Sequence, residues 1–292
     1  MAQEYWKWPE SDRLSEDVDW RKAKKIVAGV DIGTTGSQAA VFCDGALYGS
    51  ANISTGYDFK AAADCVMSRI LEPAGMSLND IESIAATGFG AGNVSYASKA
   101  LDEVRCVAKG ARFMFGPNVT TVVDLGGQTT KAIRLYDWDR VRDFTFNDKC
   151  ATGMGRNIEL MADILQIPIT EIGEKSLMAE KDPEPVSTTC YSFANPETVG
   201  LFTQGFKEEH YSENDVLASY IFAVSWRILG TIGKLQPLDP GDFTVYGELA
   251  FTGGLAKNIG ITKRLERELY KTALTSEYDP QLAGAIGAAL LA

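Results

Sequence analysis

Cationic charge and histidine are scarce in this chain of 292 residues, and long apolar runs are missing. Lys and Arg number 28 against 39 Asp and Glu, a net charge of -11. That balance argues against non-specific nucleic-acid binding, which needs cations to neutralise phosphates. It leaves room for a nucleotide, because a local glycine loop with a metal ion holds phosphates inside an acidic protein. No run of eighteen apolar residues occurs, so no membrane span is expected. The opening stretch, MAQEYWKWPESDRLSEDVDW, has no apolar segment of the secretory type. Cysteine is sparse and odd in number: Cys43, Cys65, Cys106, Cys150 and Cys190, with no CxxC spacing. Such scattered thiols predict a cytoplasmic protein with reduced cysteines rather than a disulfide framework. The one histidine, His210, lies in the charged stretch KEEHYSEND, where a surface role is expected and no Ser/His/Asp triad can be assembled.

What is present is ordinary for a globular protein, 45% hydrophobic and 23% charged residues. The length is in the range, about 250–300 residues, at which one core stops growing and a chain splits. Two lobes are therefore expected. Lys25–Asp31 reads as a strand, Ser37–Cys43 as a second, Asp44-Gly45 as a turn, Leu47–Ile53 as a third strand, and Asp58–Leu71 as an amphipathic helix. The same order recurs with Thr120–Asp124, Lys131–Tyr136 and Val141–Asn147, followed by a helix within FNDKCATGMGRNIELMADIL from Phe146.

The two units align without a gap, AGVDIGTTGSQAAVF from Ala28 on TVVDLGGQTTKAIRL from Thr121. Asp31 meets Asp124, Gly33 meets Gly126, and Ser37 meets Thr130. A duplication of this kind implies two similar lobes facing each other. Glycine-rich hairpins bring bare N–H groups close to phosphate oxygens. Gly33, Thr34, Thr35, Gly36 and Ser37 in the first unit, and Gly126, Gly127 and Thr129 in the second, are therefore candidate phosphate contacts. Asp31 and Asp124, at the ends of their strands, are candidates to hold hydrated Mg2+. Gln128 is placed to orient an attacking water, since positioning dominates phosphoryl transfer. A third element, expected as a strand over Phe243–Thr252, breaks at Gly253-Gly254 and opens a helix at Lys257-Asn258 that runs to Tyr270. Its N–H groups suit nucleotide contact, which adds Gly253, Gly254, Lys257 and Asn258 to the candidates. The closing segment, Asp279-Pro280 and QLAGAIGAALLA, predicts a small-residue helix packed tightly on a neighbour.

The order DIGTTG, DLGGQ, FTGGLAKN and a closing small-residue helix resembles the actin, sugar-kinase and chaperone-ATPase superfamily. NDKCATGMGRNIELMA, CYSFANPETVGL from Cys190 and DPQLAGAIGAALLA narrow the resemblance to the BadF/BadG/BcrA/BcrD-type ATPases. That family includes activators of 2-hydroxyacyl-CoA dehydratases and ATP-binding subunits of benzoyl-CoA reductase. The resemblance implies an α/β protein of two ribonuclease-H-like lobes with ATP in the cleft. Residues 1–24 would form an N-terminal extension and 25–118 lobe I, with the helix over 280–292 packing back on it. Lobe II would cover 119–279. It further implies an ATP-hydrolysing electron-transfer subunit that holds a 4Fe–4S cluster across a dimer interface. Two cysteines come from each chain, here Cys150 and Cys190, so that four thiolates complete the cluster. The implied partners are a homologous ATPase subunit or a second copy, catalytic reductase subunits, and ferredoxin as electron donor, with neither nucleic acid nor membrane involved.

Two positions depart from the family pattern. Thr129 stands where an Asp is usual, and Val107, after Cys106, where a His is usual. Both departures lean toward the small ATPase subunit of a benzoyl-CoA reductase; the alternative is a homodimeric dehydratase activator. A small-molecule kinase or an ATP-switched scaffold would use the same lobes without a cluster. A helix start at Cys150 would favour its thiolate through the helix dipole. Cys43, Cys65 and Cys106 fall in apolar patterns and are expected in the core. Trp6, Trp8 and Trp20 precede the first strand, either as an arm that docks on a partner or as an extension packed on its own chain.

Overall fold

The computed structural model describes residues 4–136, 140–181, 185–208, 211–235, 245 and 247–292. His210 and Phe243 lie outside them. In chain order the strands are β1 (Ser11–Leu14), β2 (Ile26–Ile32), β3 (Gly36–Cys43), β4 (Ala46–Ser54), β5 (Ser83–Thr87), β6 (Lys99–Ala100), β7 (Val119–Leu125), β8 (Thr130–Leu135), β9 (Val141–Phe146) and β10 (Glu248–Thr252). The helices are α1 (Phe59–Ala74), α2 (Glu103–Phe115), α3 (Met154–Leu165), α4 (Ile169–Leu177), α5 (Tyr191–Glu208), α6 (Glu213–Gly233), α7 (Ile259–Glu268) and α8 (Ala283–Leu290).

The chain divides into two compact units. One, the outer unit, comprises Pro9–Val122, Ile133–Asp143 and Leu274–Ala292; the other, the central unit, comprises Met1–Trp8, Val123–Ala132 and Phe144–Ala273. The alternation of apolar residues in the first repeat yields an antiparallel meander in which β2 pairs β3 and β3 pairs β4, while β5 joins β2 in parallel. The full sheet runs β1-β4-β3-β2-β5-β6, and the other sheet runs β10-β7-β8-β9. Starting from the third strand of each meander, the orders β4-β3-β2-β5 and β9-β8-β7-β10 coincide. The duplication read in the sequence is thus a duplication of topology. Asp44 and Gly45, both at positive φ, make the tight turn between β3 and β4 that their types favour.

In the outer unit α1 is capped by Asp58, whose carboxylate accepts the Ala61 N–H at 3.0 Å. The helix lays Ala62, Ala63, Val66, Met67, Ile70 and Leu71 on the sheet. Cys65 falls off that face and is exposed, contrary to the expectation of core packing; Cys43 and Cys106 are buried as expected. A helical step of about 100° past Val66 turns its neighbour toward solvent. Burial pushes the Cys43 and Cys106 thiols up to about 11. The small-residue helix forms as α8 and seats against α2, β2 and β3. A methyl group on Gly287 would lie 1.7 Å from the Cys106 carbonyl oxygen, and one on Gly110 would lie 1.9 Å from that of Ala283.

Part of the tryptophan-rich extension packs on its own chain. β1 adds to the free edge of β4, the Trp20 Nε1–H donates to the Ala74 carbonyl at 3.1 Å, and Trp8 lies against the core of the central unit. That core gathers Val123, Leu125, Met154, Ile158, Ile172, Tyr220, Val224 and Ile228. One described helix, α6, is long and apolar enough to cross a membrane, but 72% of its apolar window is buried inside the protein, as in a core helix.

Candidate functional site

The first glycine hairpin, in the outer unit, closes with the Gly33 N–H donating to the Gly36 carbonyl at 3.0 Å, which leaves Thr34 and Thr35 at the tip. A Cβ on Gly33 would stand 2.7 Å from that carbonyl, so the close approach requires glycine. Thr55 braces the turn from behind. Its N–H donates to the Thr35 carbonyl at 3.0 Å, and its hydroxyl donates to the Gly33 carbonyl at 2.9 Å. The Ser37 hydroxyl shares a 2.8 Å hydrogen bond with the same Thr55 oxygen and is fully buried, so it supports the turn from beneath. Asp31 faces Gln38 on β3 and Thr87 on β5. Methyl groups on Gly88 and Gly284 would reach 2.2 Å and 1.9 Å from its two carboxylate oxygens. Two glycines thus make room for this carboxylate.

The second hairpin, in the central unit, repeats the geometry. The Gly126 N–H donates to the Thr129 carbonyl at 3.1 Å, and a Cβ on Gly126 would again stand 2.7 Å from it. Asp124 is buried. Its carboxylate accepts from Lys131 Nζ at 2.9 Å and from the Thr252 hydroxyl at 2.8 Å. Lys131 occupies the place that Gln38 holds in the first repeat, so this register sets a buried ion pair where the outer unit has a neutral amide. Asp124 is therefore a fixed carboxylate with both its oxygens engaged. The tip of the turn is held by the start of α3: the Gly153 N–H donates to the Gln128 carbonyl at 2.7 Å, and the Arg156 N–H to the Gly127 carbonyl at 3.0 Å. Gly155 must lack a side chain, because a Cβ there would meet the Gly127 Cα at 2.7 Å.

The third element ends β10 in the same unit. Gly253, at φ +84°, lies over Leu125, where a Cβ would meet the carbonyl oxygen at 2.5 Å. Gly254 through Lys257 form a 3₁₀ turn, after which α7 starts at Ile259 and ends at Glu268, short of the expected Tyr270. Asn258 is buried and caps α7, its Oδ1 accepting the Ile261 N–H at 3.1 Å. The described strand covers only Glu248–Thr252 of the expected Phe243–Thr252.

Sequence reasoning missed that this element is duplicated too. IAATGFGAGN from Ile84 aligns without a gap on LAFTGGLAKN from Leu249. Gly88 matches Gly253, both at φ +84°. The Ala91 N–H bonds the Gly88 carbonyl at 3.1 Å as the Ala256 N–H bonds the Gly253 carbonyl at 3.2 Å. The available signal was Thr87-Gly88 following an apolar strand, as Thr252-Gly253 does.

The two candidate cluster cysteines lie in the central unit, Cys150 exposed and Cys190 half-buried. Cys150 does not open α3 as expected. It sits in a separate 3₁₀ turn, Lys149–Ala151, and α3 starts after Gly153, whose left-handed φ of +83° breaks the path between them. The helix-start argument belongs to Cys190, which directly precedes α5. Hydrogen bonds from the Ser192 hydroxyl and the Ser192 N–H, with the charge of Arg227 and the Phe193 N–H, hold the Cys190 thiol below its ordinary value. Arg227 stacks at 4.1 Å on the Tyr191 ring and donates to the Ser187 carbonyl at 2.6 Å, which fixes the entry to α5. An exposed thiol and a thiol favoured as thiolate by N–H donors suit iron ligation.

Duplicated phosphate-type turns, paired strand-end carboxylates and this cysteine pair agree with a match to a known family. Residues 28–292 match the BadF/BadG/BcrA/BcrD ATPase family. The chain belongs to that family. Within it, the chain is 34% identical over 266 residues to the activator of lactoyl-CoA dehydratase of Anaerotignum propionicum, which covers 90% of this chain and 96% of the relative. The solved activator of 2-hydroxyisocaproyl-CoA dehydratase from Clostridium difficile, with bound ADPNP, superposes with a TM-score of 0.79 at 29% identity, over 91% of this chain and 94% of the other. A benzoyl-CoA reductase subunit of Thauera aromatica is 27% identical over 275 residues, 91% of this chain and 92% of the relative. The fold is that of the two-lobed actin, sugar-kinase and chaperone-ATPase superfold.

Proposed function

We propose that this chain is an ATP-hydrolysing electron-transfer activator of a 2-hydroxyacyl-CoA dehydratase. The observation that carries the reading is the 34% identity to such an activator along 96% of its length. The departures at Thr129 and Val107 pointed to a benzoyl-CoA reductase subunit, but the 27% identity to the Thauera aromatica protein supports that assignment less. Two substitutions, Thr129 in a turn of otherwise retained geometry and Val107 buried within α2, weigh little against similarity spread along the whole chain.

In this reading the hairpin tips, Thr34-Thr35 and Gly127–Thr129, receive the phosphates, while Gly33, Gly36, Ser37 and Gly126 shape the turns that present them. Asp31 and Asp124 order hydrated Mg2+, and Gln128 positions the attacking water. Asp124 enters that role already oriented by Lys131 and Thr252, so no reorganisation is needed when charge develops. Gly253, Gly254, Lys257 and Asn258 complete the nucleotide contacts as a glycine turn leading into α7. Cys150 and Cys190 would hold half of a 4Fe–4S cluster whose other two thiolates come from a second copy. When bound, the cluster supplies a one-electron carrier; ferredoxin is the proposed donor and a catalytic dehydratase component the acceptor.

Anaerobic purification followed by iron counting per pair of chains tests the cluster. The nucleotide half is tested by Asp124→Asn and Gln128→Ala, each expected to lower steady-state ATP hydrolysis by at least about 100-fold, the low end of what a positioned polar group contributes. Parental rates in both variants would overturn the assignment of these two side chains.

A further inference from the structure

An ATP-driven electron carrier needs the state of its nucleotide turn to reach two cysteine segments that are 40 residues apart in sequence, and the hydrogen bonds of the central unit differ in how they serve each. The Cys150 segment is reached directly. Gly153, three residues on, gives its N–H to Gln128. Asn147, three residues before, accepts the Thr130 N–H on Oδ1 at 2.7 Å and donates from Nδ2 to the Asp148 carbonyl at 2.9 Å and the Thr152 hydroxyl at 3.2 Å. Both ends of the Cys150 turn are thus tied to residues 128–130.

The Cys190 segment is reached through two amides. Asn157 on α3 donates from Nδ2 to the Gly153 carbonyl at 2.8 Å, and the same carbonyl accepts the Asn157 N–H at 2.8 Å. Asn157 Oδ1 then accepts from Asn195 Nδ2 at 2.9 Å. Asn195 lies one turn into α5, beside Ala194, whose N–H bonds the Cys190 carbonyl at 3.0 Å. Both asparagines are partly buried, where an amide–amide hydrogen bond between helices fixes their relative position. We propose that the Asn157–Asn195 pair is a relay that transmits the occupancy of the turn at 126–129 to Cys190, so that nucleotide moves both cysteines together. The two are positioning residues, and neither touches substrate. The relay rests on the ATPase reading above.

Cysteine-resolved alkylation of the full chain, freed of iron by a chelator and kept under reducing conditions, with and without ADPNP, tests it. Exposed Cys65, in the other unit, serves as the reference thiol, and buried Cys43 and Cys106 stay unreactive only while the fold is intact. In the parent chain ADPNP is expected to change the rates at Cys150 and Cys190 relative to Cys65, by roughly fivefold if one hydrogen bond carries the coupling. Asn195→Ala and Asn157→Ala should abolish the change at Cys190 and keep it at Cys150. The double variant should match the singles, because both remove one interaction. Asn195→Ser, which keeps a small polar side chain, serves if the alanine variants expose Cys43 or Cys106. A nucleotide response at Cys190 that survives in the folded variants would overturn the relay, as would a parent chain that binds ADPNP without change at either thiol. Failure to bind ADPNP at all would instead remove the ATPase reading, and the relay with it.

Discussion

Cys150→Ala is expected to yield a colourless protein, with iron lost from the anaerobically purified pair and electron delivery lowered by more than about 100-fold. That exceeds the roughly 10–100-fold loss typical when only an outer partner of a metal ligand is removed. A 4Fe–4S cluster takes four thiolates, and two chains offering Cys150 and Cys190 each supply that number. With the cluster shared as proposed, removing one residue removes two ligands, which is why the expected effect is near total. Cys190→Ala should behave alike. Cys65→Ala is the internal comparison: the residue is exposed on α1 in the other unit, and its loss should leave iron and colour intact. Visible absorbance and iron content decide the matter before any turnover is measured. Full iron in Cys150→Ala would end the cluster assignment.

The second large effect lies far from the chemistry. Gly287→Ala should destabilise the protein by about 3 kcal/mol, at the upper end of what overpacking a tight core produces. For a chain of this size that lowers the thermal midpoint by roughly 10 °C. The added methyl would stand 1.7 Å from the Cys106 carbonyl oxygen, a backbone atom that cannot rotate aside. Gly110→Ala, 1.9 Å from the Ala283 carbonyl, strains the same seam between α2 and α8 from the other side. Gly230, on α6, has nothing within 4 Å of its would-be Cβ. Gly230→Ala should accordingly stabilise by about 0.5–1 kcal/mol through helix propensity and a less flexible unfolded chain. Opposite signs for one chemical change, measured by thermal unfolding, separate close packing from backbone entropy.

The meanders were legible because period-two alternation and a gapless repeat reinforce each other, and the six strands predicted for the two repeats fall within a residue or two of β2–β4 and β7–β9. The partner of Asp124 was within reach as well. Pairing Gly126 with Thr129 puts Lys131 opposite Asp124, in the register that puts Gln38 opposite Asp31. The start of α3 was not legible, since it depends on Gly153 adopting a left-handed φ, a conformation glycine permits but does not announce. The exposure of Cys65 depended on helix phase, which an apolar count over Asp58–Leu71 passes over. The relay amides were hidden for a different reason. Asn157 and Asn195 are far apart in the chain, and only the packing of α3 near α5 brings them together.

The position of α8 bears on how the chain is made. Its residues complete a cluster with Ala40, Phe42 and Met114, so most of the outer unit is synthesised before the main segment of the central unit, Phe144–Ala273, and its last layer after it. A nascent chain on the ribosome can assemble the central unit while β2, β3 and α2 still wait for their last layer. Until Leu282 through Ala289 emerge, the apolar side of those elements faces water, the state in which association with other chains competes with folding. The outer unit is thus complete only once α8 is seated, and packing of that helix is the step that commits β2, β3 and α2 to their final arrangement.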